Sequence, residues 1–286
     1  MKNPLVTAVL PLKFYVESFM HSAVQSIVQQ TDPNWRLAIV VENADMEKFR
    51  GLLGGMLNDE RIDLIANHRR GFAGAINSGV DHASTEFAGI LLGDDMWAET
   101  AIETLNRNIR ENPHVDFFHS SRAFIDEEDK RISKIYQSKT EWELKDFKWG
   151  SPIKHLLCWR KEKWAAIGGI DENLLKASDD YDFPWSMAES GAVFMALEEC
   201  LYLYRNHCQG ERFTTHRPLS VSIRGIKGIL KKHGVGFIER NSIIRKLRSN
   251  GSLGTQSIYR TTLDRKLKEK IGYDASQNWK QQKYDQ

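Results

Sequence analysis

Cysteine is scarce in this sequence: Cys158, Cys200 and Cys208 are the only three among 286 residues. A sparse, odd-numbered set excludes a disulfide framework and points to reduced thiols. Cys200, His207, Cys208 and His216 sit near one another in the chain and suggest a zinc cluster. Their spacings match no common zinc pattern, however, and cysteine often serves as a small buried hydrophobe. Also lacking is any apolar run near the roughly 18–20 residues needed to cross a bilayer. The opening Met1-Lys2-Asn3-Pro4 has neither the apolar stretch nor the small-residue cleavage site of a secretory leader. The expected location is therefore cytoplasmic. Internal repeats and low-complexity segments are absent too, which leaves an ordinary globular chain.

What is present is a hydrophobic share of 41%, enough for one sizeable core in one large domain with an appendage, or in two small domains. The net charge of +2 conceals an asymmetry. Residues 224–286 hold 15 Lys and Arg against 5 Asp and Glu, or +10, leaving 25 against 33, or −8, for residues 1–223. A basic tail suits nucleic acid, anionic lipid or an acidic acceptor, and equally the solvated face of packing helices.

Along the chain, Thr7 to Pro11 reads as a buried strand, followed by a helix in which Phe19/Met20, Ala23/Val24 and Ile27/Val28 recur on one face. Leu37 to Val41, Ile62 to Ala66 and Phe87 to Leu92 read as further buried strands, with helices near Met46 to Leu57 and Phe72 to Ala83 between them. Strands alternating with helices imply a parallel sheet with right-handed crossovers, whose ligands bind at the carboxyl ends of the strands. Glu42, the Arg69-Arg70-Gly71 turn and Asp94-Asp95 all fall there. Beyond Asn112-Pro113 the regularity drops. Val115 to Ile125 and Ile132 to Tyr136 read as antiparallel strands around an acidic turn at Asp126 to Asp129.

Asp94-Asp95 closes the apolar run Ile90-Leu91-Leu92-Gly93 and puts two carboxylates where a strand leaves the core. Such a pair holds a divalent cation, which magnesium sites typically complete with substrate phosphates and water. The same pair also suits a cap on the helix that follows from Glu99 to Glu111.

The ordered set of motifs resembles the family 2 inverting glycosyltransferases of GT-A fold, from about Val6 to His207. It runs through Val9-Leu10-Pro11, Val40-Val41-Glu42-Asn43, Gly71-Phe72-Ala73-Gly74-Ala75-Ile76-Asn77-Ser78-Gly79 and Leu92-Gly93-Asp94-Asp95. It continues with Gly168-Gly169-Ile170-Asp171-Glu172, Ser178-Asp179-Asp180-Tyr181-Asp182 and Tyr204-Arg205-Asn206-His207. The resemblance implies an α/β GT-A fold: a Rossmann-like, mostly parallel sheet with helices on both faces. It implies a transferase domain over residues 1–217, with a nucleotide-binding half at 1–112 and an acceptor-binding half at 113–217. A basic, mainly helical extension would follow at 218–286.

By the same resemblance, Pro11, Glu42, Arg70, Gly71, Asn77, Asp94 and Asp95 would line the nucleotide-sugar site. Asp95 would be the direct ligand of Mn2+ or Mg2+, and Asp94 would touch the ribose or a metal-bound water. His207 would be a further metal ligand near the diphosphate. Asp180 would be the general base and Asp179 would orient the acceptor, while Gly169, Asp171 and Trp185 would form the acceptor side. Several of these have plainer readings. Acidic residues favour helix starts on dipole grounds, and Pro184 places Asp179-Asp180 at such a start. Glu42 is one methylene longer than the aspartate usual there, Ile76 replaces a residue often basic, and aromatics such as Trp159, Trp164, Tyr181 and Trp185 commonly pack in cores.

The expected activity is metal-dependent inverting transfer of a sugar from a nucleoside-diphosphate sugar, a uridine diphosphate sugar above others, to a hydroxyl of a glycan, lipid-linked or other acceptor. The Gln-x-x-Arg-Trp motif and membrane helices of processive synthases are missing, so single addition is expected. Nucleic acid is not an expected partner. The basic tail would dock the enzyme peripherally on the inner face of a membrane or mediate homodimerisation. The competing readings are a GT-A-like binding module without chemistry, a sugar nucleotidylyltransferase and a nucleic-acid or membrane-surface adaptor. Against the second stands the lack of a glycine-rich signature around Pro11 to Val16.

Overall fold

The computed structural model describes residues 4–13, 15–174, 178–207 and 219–249. The elements run β1 (Val6–Leu12), α1 (Glu17–Val28), β2 (Trp35–Val41), α2 (Met46–Leu53), β3 (Ile62–Ala66), α3 (Gly71–His82), β4 (Phe87–Ile90), β5 (Met96–Trp97) and α4 (Ala101–Glu111). They continue with β6 (Phe117–Ile125), β7 (Leu157–Arg160), α5 (Lys161–Ala166), α6 (Phe183–Glu189), β8 (Phe194–Arg205), α7 (Leu219–Lys232) and α8 (Phe237–Ser249). The strands form one sheet in the order β3-β2-β1-β4-β7-β6-β8-β5. Strands β1 to β4 pair in parallel, as expected for a doubly wound half. Strand β7 is antiparallel to both neighbours, and β8 runs parallel to β6.

Strand β1 shows why the sheet is covered on both faces. Val6, Ala8, Leu10 and Leu12 pack with Met20, Val24 and Ile27 of α1, Phe49 of α2 and Leu105 of α4. Val9 faces the other way, toward Ile76 and Val80 of α3, Trp164 of α5, Phe183 and Trp185 of α6 and Ile229 of α7. The period-two alternation of a strand divides these residues between two cores. Helix α3 lies close enough to β1 that a Cβ at Gly79 would stand 2.3 Å from the Val9 Cγ1, so only glycine fits there. Pro11 is tolerated in this central strand because pairing with β4 ends at Val9, so on that side it forfeits no ladder bond.

Two expectations need correction. Residues 132–136 form no strand and make only isolated antiparallel bridges, Ile125 with Arg131 and Arg122 with Tyr136. The helix expected over Met46 to Leu57 stops at Leu53, where Gly54 has a φ of +47°, and continues as a 3-10 turn over Gly54–Asn58. The described part of the basic extension is helical. It packs Ile229, Leu230, Val235, Ile243 and Ile244 into the same core as α3 and α6.

Candidate active site

The carboxyl ends of β2, β3 and β4 meet along one edge of the sheet, and the first three predicted clusters lie there. Glu42 follows β2, is half-buried, and pairs with Lys13 at 3.6 Å. Arg70 precedes α3 with an exposed side chain, and its backbone N–H donates to Glu172 Oε2 at 3.2 Å. Gly71 starts α3 at a φ of +66°, a conformation that favours glycine.

Asp94 and Asp95 do not cap α4, because β5 and Thr100, the N-cap residue, intervene. Their surroundings differ sharply. Asp95 is fully buried and its two oxygens accept from the Tyr202 hydroxyl at 2.7 Å and from the Arg205 N–H at 2.8 Å. The Tyr202 phenol is held well above its ordinary pKa, by burial first and by the Asp95 charge second, so it remains a donor. Asp94 instead has a side chain one-third exposed, with Oδ2 3.2 Å from Nε2 of His207. Arg205, wholly buried, ties the loop down. Its Nε donates to the Asp94 carbonyl at 2.8 Å, its Nη1 to the Asp126 carbonyl at 2.8 Å, and its Nη2 pairs with Asp129 at 2.5 Å. The residues inferred from resemblance thus differ in setting: Asp95 is enclosed by β8, while the one-third-exposed Asp94 carboxylate faces the buried His207 imidazole.

A carboxylate oxygen and an imidazole nitrogen suit Mn2+, and such sites are completed by phosphate oxygens and water. Among the described residues the buried Nδ1 of His207 has no hydrogen-bond partner. Among the described residues no group of three or more His, Cys, Asp or Glu gathers, so such an ion would rely on its substrate for the remaining ligands. Cys158 is free and buried and Cys200 is free and half-buried, with burial pushing both thiols up; the zinc cluster does not form among the described residues, and Cys208 and His216 lie outside them.

The second acidic pair lies on a π-helical turn, Ser178–Asp182, that leads into α6. Its neighbours anchor it: the Tyr181 hydroxyl donates to the Phe147 carbonyl at 2.6 Å, and Asp182 pairs with Lys232 at 2.7 Å and His233 at 3.0 Å. Asp179 is buried, and desolvation pushes its carboxyl up to about 8, with the Asp180 charge adding to the effect. Asp180 is exposed. Its charge acts on Lys154 and His155, and the His155 ring lies 5.1 Å from the ring of Tyr202, which holds Asp95. His155 thus lies within electrostatic reach of Asp180 and beside the tyrosine that holds Asp95, which puts the two acidic pairs in one neighbourhood.

Other predicted residues belong to the scaffold. Asn77 is fully buried and donates to the Ile170 carbonyl at 2.8 Å and to Glu172 Oε1 at 2.9 Å. Its oxygen accepts from the Ile170 N–H at 2.9 Å and the Trp164 Nε1 at 3.2 Å. With all four positions spent, it clasps the loop that carries Ile170 and Glu172. Gly169, at a φ of +82°, lets that loop pass 3.0 Å from the Asn77 oxygen. Asp171, a quarter exposed, is held by Lys232 at 3.2 Å, which ties the loop to α7. Trp185 is buried in the core and stacks on His233 with centroids 4.0 Å apart and planes 4° apart. Trp159, Trp164 and Tyr181 are likewise core residues.

The description Glycosyl transferase family 2 matches residues 7–173. The chain belongs to that family. A glycosyltransferase family 2 member is a transferase, and membership separates this chain from the sugar nucleotidylyltransferases. Among curated relatives, an uncharacterized glycosyltransferase of Methanocaldococcus jannaschii is 27% identical over 209 residues, covering 72% of each chain. The Escherichia coli UDP-Glc:alpha-D-GlcNAc-diphosphoundecaprenol beta-1,3-glucosyltransferase WfgD is 30% identical over 105 residues, 36% of this chain and 40% of that one. Among solved structures, S. aureus TarS 1–349 in complex with UDP-GlcNAc superimposes with a TM-score of 0.58 at 15% identity, covering 84% of this chain and 70% of that one. The mannosyltransferase PcManGT of Pyrobaculum calidifontis, in complex with GDP-Man and Mn2+, gives 0.55 at 16%, covering 86% and 69%. At these identities the structures establish the shared GT-A fold.

This family 2 chain also carries functional candidates that sequence reading passed over. Tyr202 and Arg205 lie on β8, where no strand was expected, and they are the residues that shape the Asp94-Asp95 loop. Arg205 stood inside the Tyr204-Arg205-Asn206-His207 motif, which is the signal from which it was findable.

Proposed function

We propose that the protein is a metal-dependent inverting transferase that moves a single sugar from a nucleoside-diphosphate sugar, a uridine diphosphate sugar in the first instance, to an acceptor hydroxyl. The observation that carries this reading is the pairing of a buried with a more exposed carboxylate at each of two neighbouring stations. Asp95 accepts from Tyr202, whose ring lies beside His155, and His155 lies within electrostatic reach of Asp180. The uridine diphosphate preference is supported by the UDP-GlcNAc of the TarS complex and the UDP-Glc in the name of WfgD. That name also includes a diphosphoundecaprenol acceptor, which supports a glycan or lipid-linked acceptor here.

In the reaction, the acceptor oxygen attacks the anomeric carbon, the bond from that carbon to the diphosphate oxygen breaks, and the acceptor proton passes to Asp180. Attack opposite the leaving group inverts the anomeric configuration. Asp180, exposed beside a buried partner, is free to meet an incoming hydroxyl, while Asp179, held largely protonated near neutrality, can hydrogen-bond to it without adding charge. Asp94 and His207 would hold Mn2+ or Mg2+, which supplies charge neutralisation for the departing diphosphate. Tyr202 and Arg205 keep Asp94 in place by fixing Asp95 beneath it. Glu42 and Arg70 would meet the base and phosphates from the ends of β2 and β3.

A peripheral membrane contact fits one exposed surface. Phe237 and Ile238 are 71% and 85% exposed at the start of α8, near half-exposed Trp149, over which Lys246 sits at 4.5 Å. Exposed aromatic and aliphatic groups among cations favour an anionic bilayer over a second copy of this equally cationic face. Among the described residues no helix is long and apolar enough to cross a membrane.

A thermal-shift panel of nucleoside diphosphates with and without Mn2+ tests the reading, because a ligand of the folded state raises stability by RT ln(1 + [L]/Kd). A selective shift that needs the ion supports it. A panel in which no nucleotide shifts the melting temperature, with or without the ion, sinks it.

A further inference from the structure

Most cations around the cleft have an acidic partner: Lys13 has Glu42, Arg69 has Asp81 and Glu172, Arg205 has Asp129, and Lys232 has Asp171 and Asp182. Among the described residues, Arg122 and Lys154 have no carboxylate within ion-pair distance. Arg122 lies on β6 in register with Tyr202 of β8, and so on the same sheet face as the tyrosine that holds Asp95. Its guanidinium lies over the rings of Phe124 and Tyr204, at 5.7 and 5.9 Å, and its buried Nε has no hydrogen-bond partner. Lys154 precedes β7, the antiparallel neighbour of β6, and its Nζ donates only to the Ser151 carbonyl at 3.1 Å. Burial first, and then the nearby Arg122 charge, hold its ammonium below the ordinary range, while the Asp180 charge opposes them without forming an ion pair. Between them His155 is almost wholly buried, its Nδ1 also lacks a partner, and burial lowers its pKa to about 4, so it is neutral and adds no positive charge.

Two half-buried cations without a carboxylate partner are costly to keep, and the cost is recovered when a ligand brings the missing negative charge. Their position decides which part of the ligand that is. Arg122 shares a sheet face with Tyr202, which holds Asp95, and Lys154 lies within electrostatic reach of Asp180, so on the transferase reading they flank the place where the transferred sugar would meet the acceptor. We propose that Arg122 and Lys154, with His155 beside them, form an anion subsite that selects a substrate with a carboxylate or phosphate next to the new glycosidic bond. Two sources share this chemistry: the carboxylate of a uronic acid donor, or a phosphate on the acceptor. The inference rests on the transferase reading and names the substrate class for that site.

Calorimetry on the full chain with Mn2+ separates the sources. One arm compares UDP-glucuronate with UDP-glucose. The other compares glycerol 3-phosphate with glycerol on protein saturated with UDP. At least one arm should favour the charged ligand by about tenfold or more, and the preference should vanish in Arg122→Gln/Lys154→Gln while UDP itself binds as before. Should the double variant not fold, Lys154→Met alone is read in the same way, and Arg122→Lys should keep the preference. Equal binding of charged and neutral partners in both arms overturns the proposal. So does a preference that survives the substitutions, or a large loss of UDP affinity in the variants, which would assign the cations to the diphosphate. Failure of UDP to bind the wild type is a different outcome: it removes the transferase reading on which the subsite stands.

Discussion

Four aspartates of one chemical type sit in different surroundings here. Asp95 and Asp179 are enclosed, whereas Asp94 and Asp180 open outward. If Asp180 is the base, Asp180→Asn should lower turnover by about 10²- to 10⁴-fold with UDP affinity unchanged, read by steady-state kinetics and calorimetry. A variant within threefold of wild-type turnover would remove Asp180 from the mechanism. Asp179 gives a stability prediction with a definite sign. Its folded carboxyl is raised to about 8 from an ordinary 3.8, so between those values the folded state binds the extra proton and stability falls as pH rises. Asp179→Asn removes that dependence. Its stability advantage over wild type should grow by up to about 1.4 kcal/mol per pH unit from pH 5 to 8 in urea denaturation, and a pH-independent difference would contradict the assignment. The carboxylates themselves were legible as residues. Which member of the first pair is enclosed was not, because Tyr202 and Arg205 reach Asp95 from a distant part of the chain.

At the scale of elements, what sequence disclosed follows burial. Strands β1 to β4 are covered on both faces and read as short apolar runs between amphipathic helices, so their order and the clusters at their ends were visible. Strand β7 has only four residues, and β8 mixes Glu198, Glu199 and Arg205 with apolar positions, so neither pattern has a clear period. The loop 168–172 was read as acceptor-binding because sequence cannot show that Asn77 already claims it from α3. Asn77→Ala should therefore cost about 1–3 kcal/mol through unsatisfied buried groups, lowering the melting temperature by roughly 2–12 °C, while UDP affinity of the folded protein stays within twofold. Loss of UDP affinity without loss of stability would return Asn77 to the nucleotide site.

At the scale of the whole molecule, charge and apolar exposure coincide on the C-terminal helices. Helix α7 closes one core and pins the π-helical turn through Lys232 and His233, while α8 leaves Phe237 and Ile238 in solvent. Phe237→Asp/Ile238→Asp should lose most co-sedimentation with anionic lipid vesicles without a change in melting temperature; equal sedimentation would exclude this face as the contact. The charge asymmetry that pointed there was plain in composition, but the pair of residues at the tip became identifiable only once the helix packing showed which apolar groups stay outside. The most direct test of the account as a whole is calorimetric titration of UDP into wild type, Asp94→Asn and Asp180→Asn, with Mn2+ and then with a chelator. Mn2+ should tighten UDP by about tenfold or more in wild type and Asp180→Asn, and should have little effect in Asp94→Asn. The same UDP affinity in wild type with ion and with chelator would contradict a metal-assisted transferase.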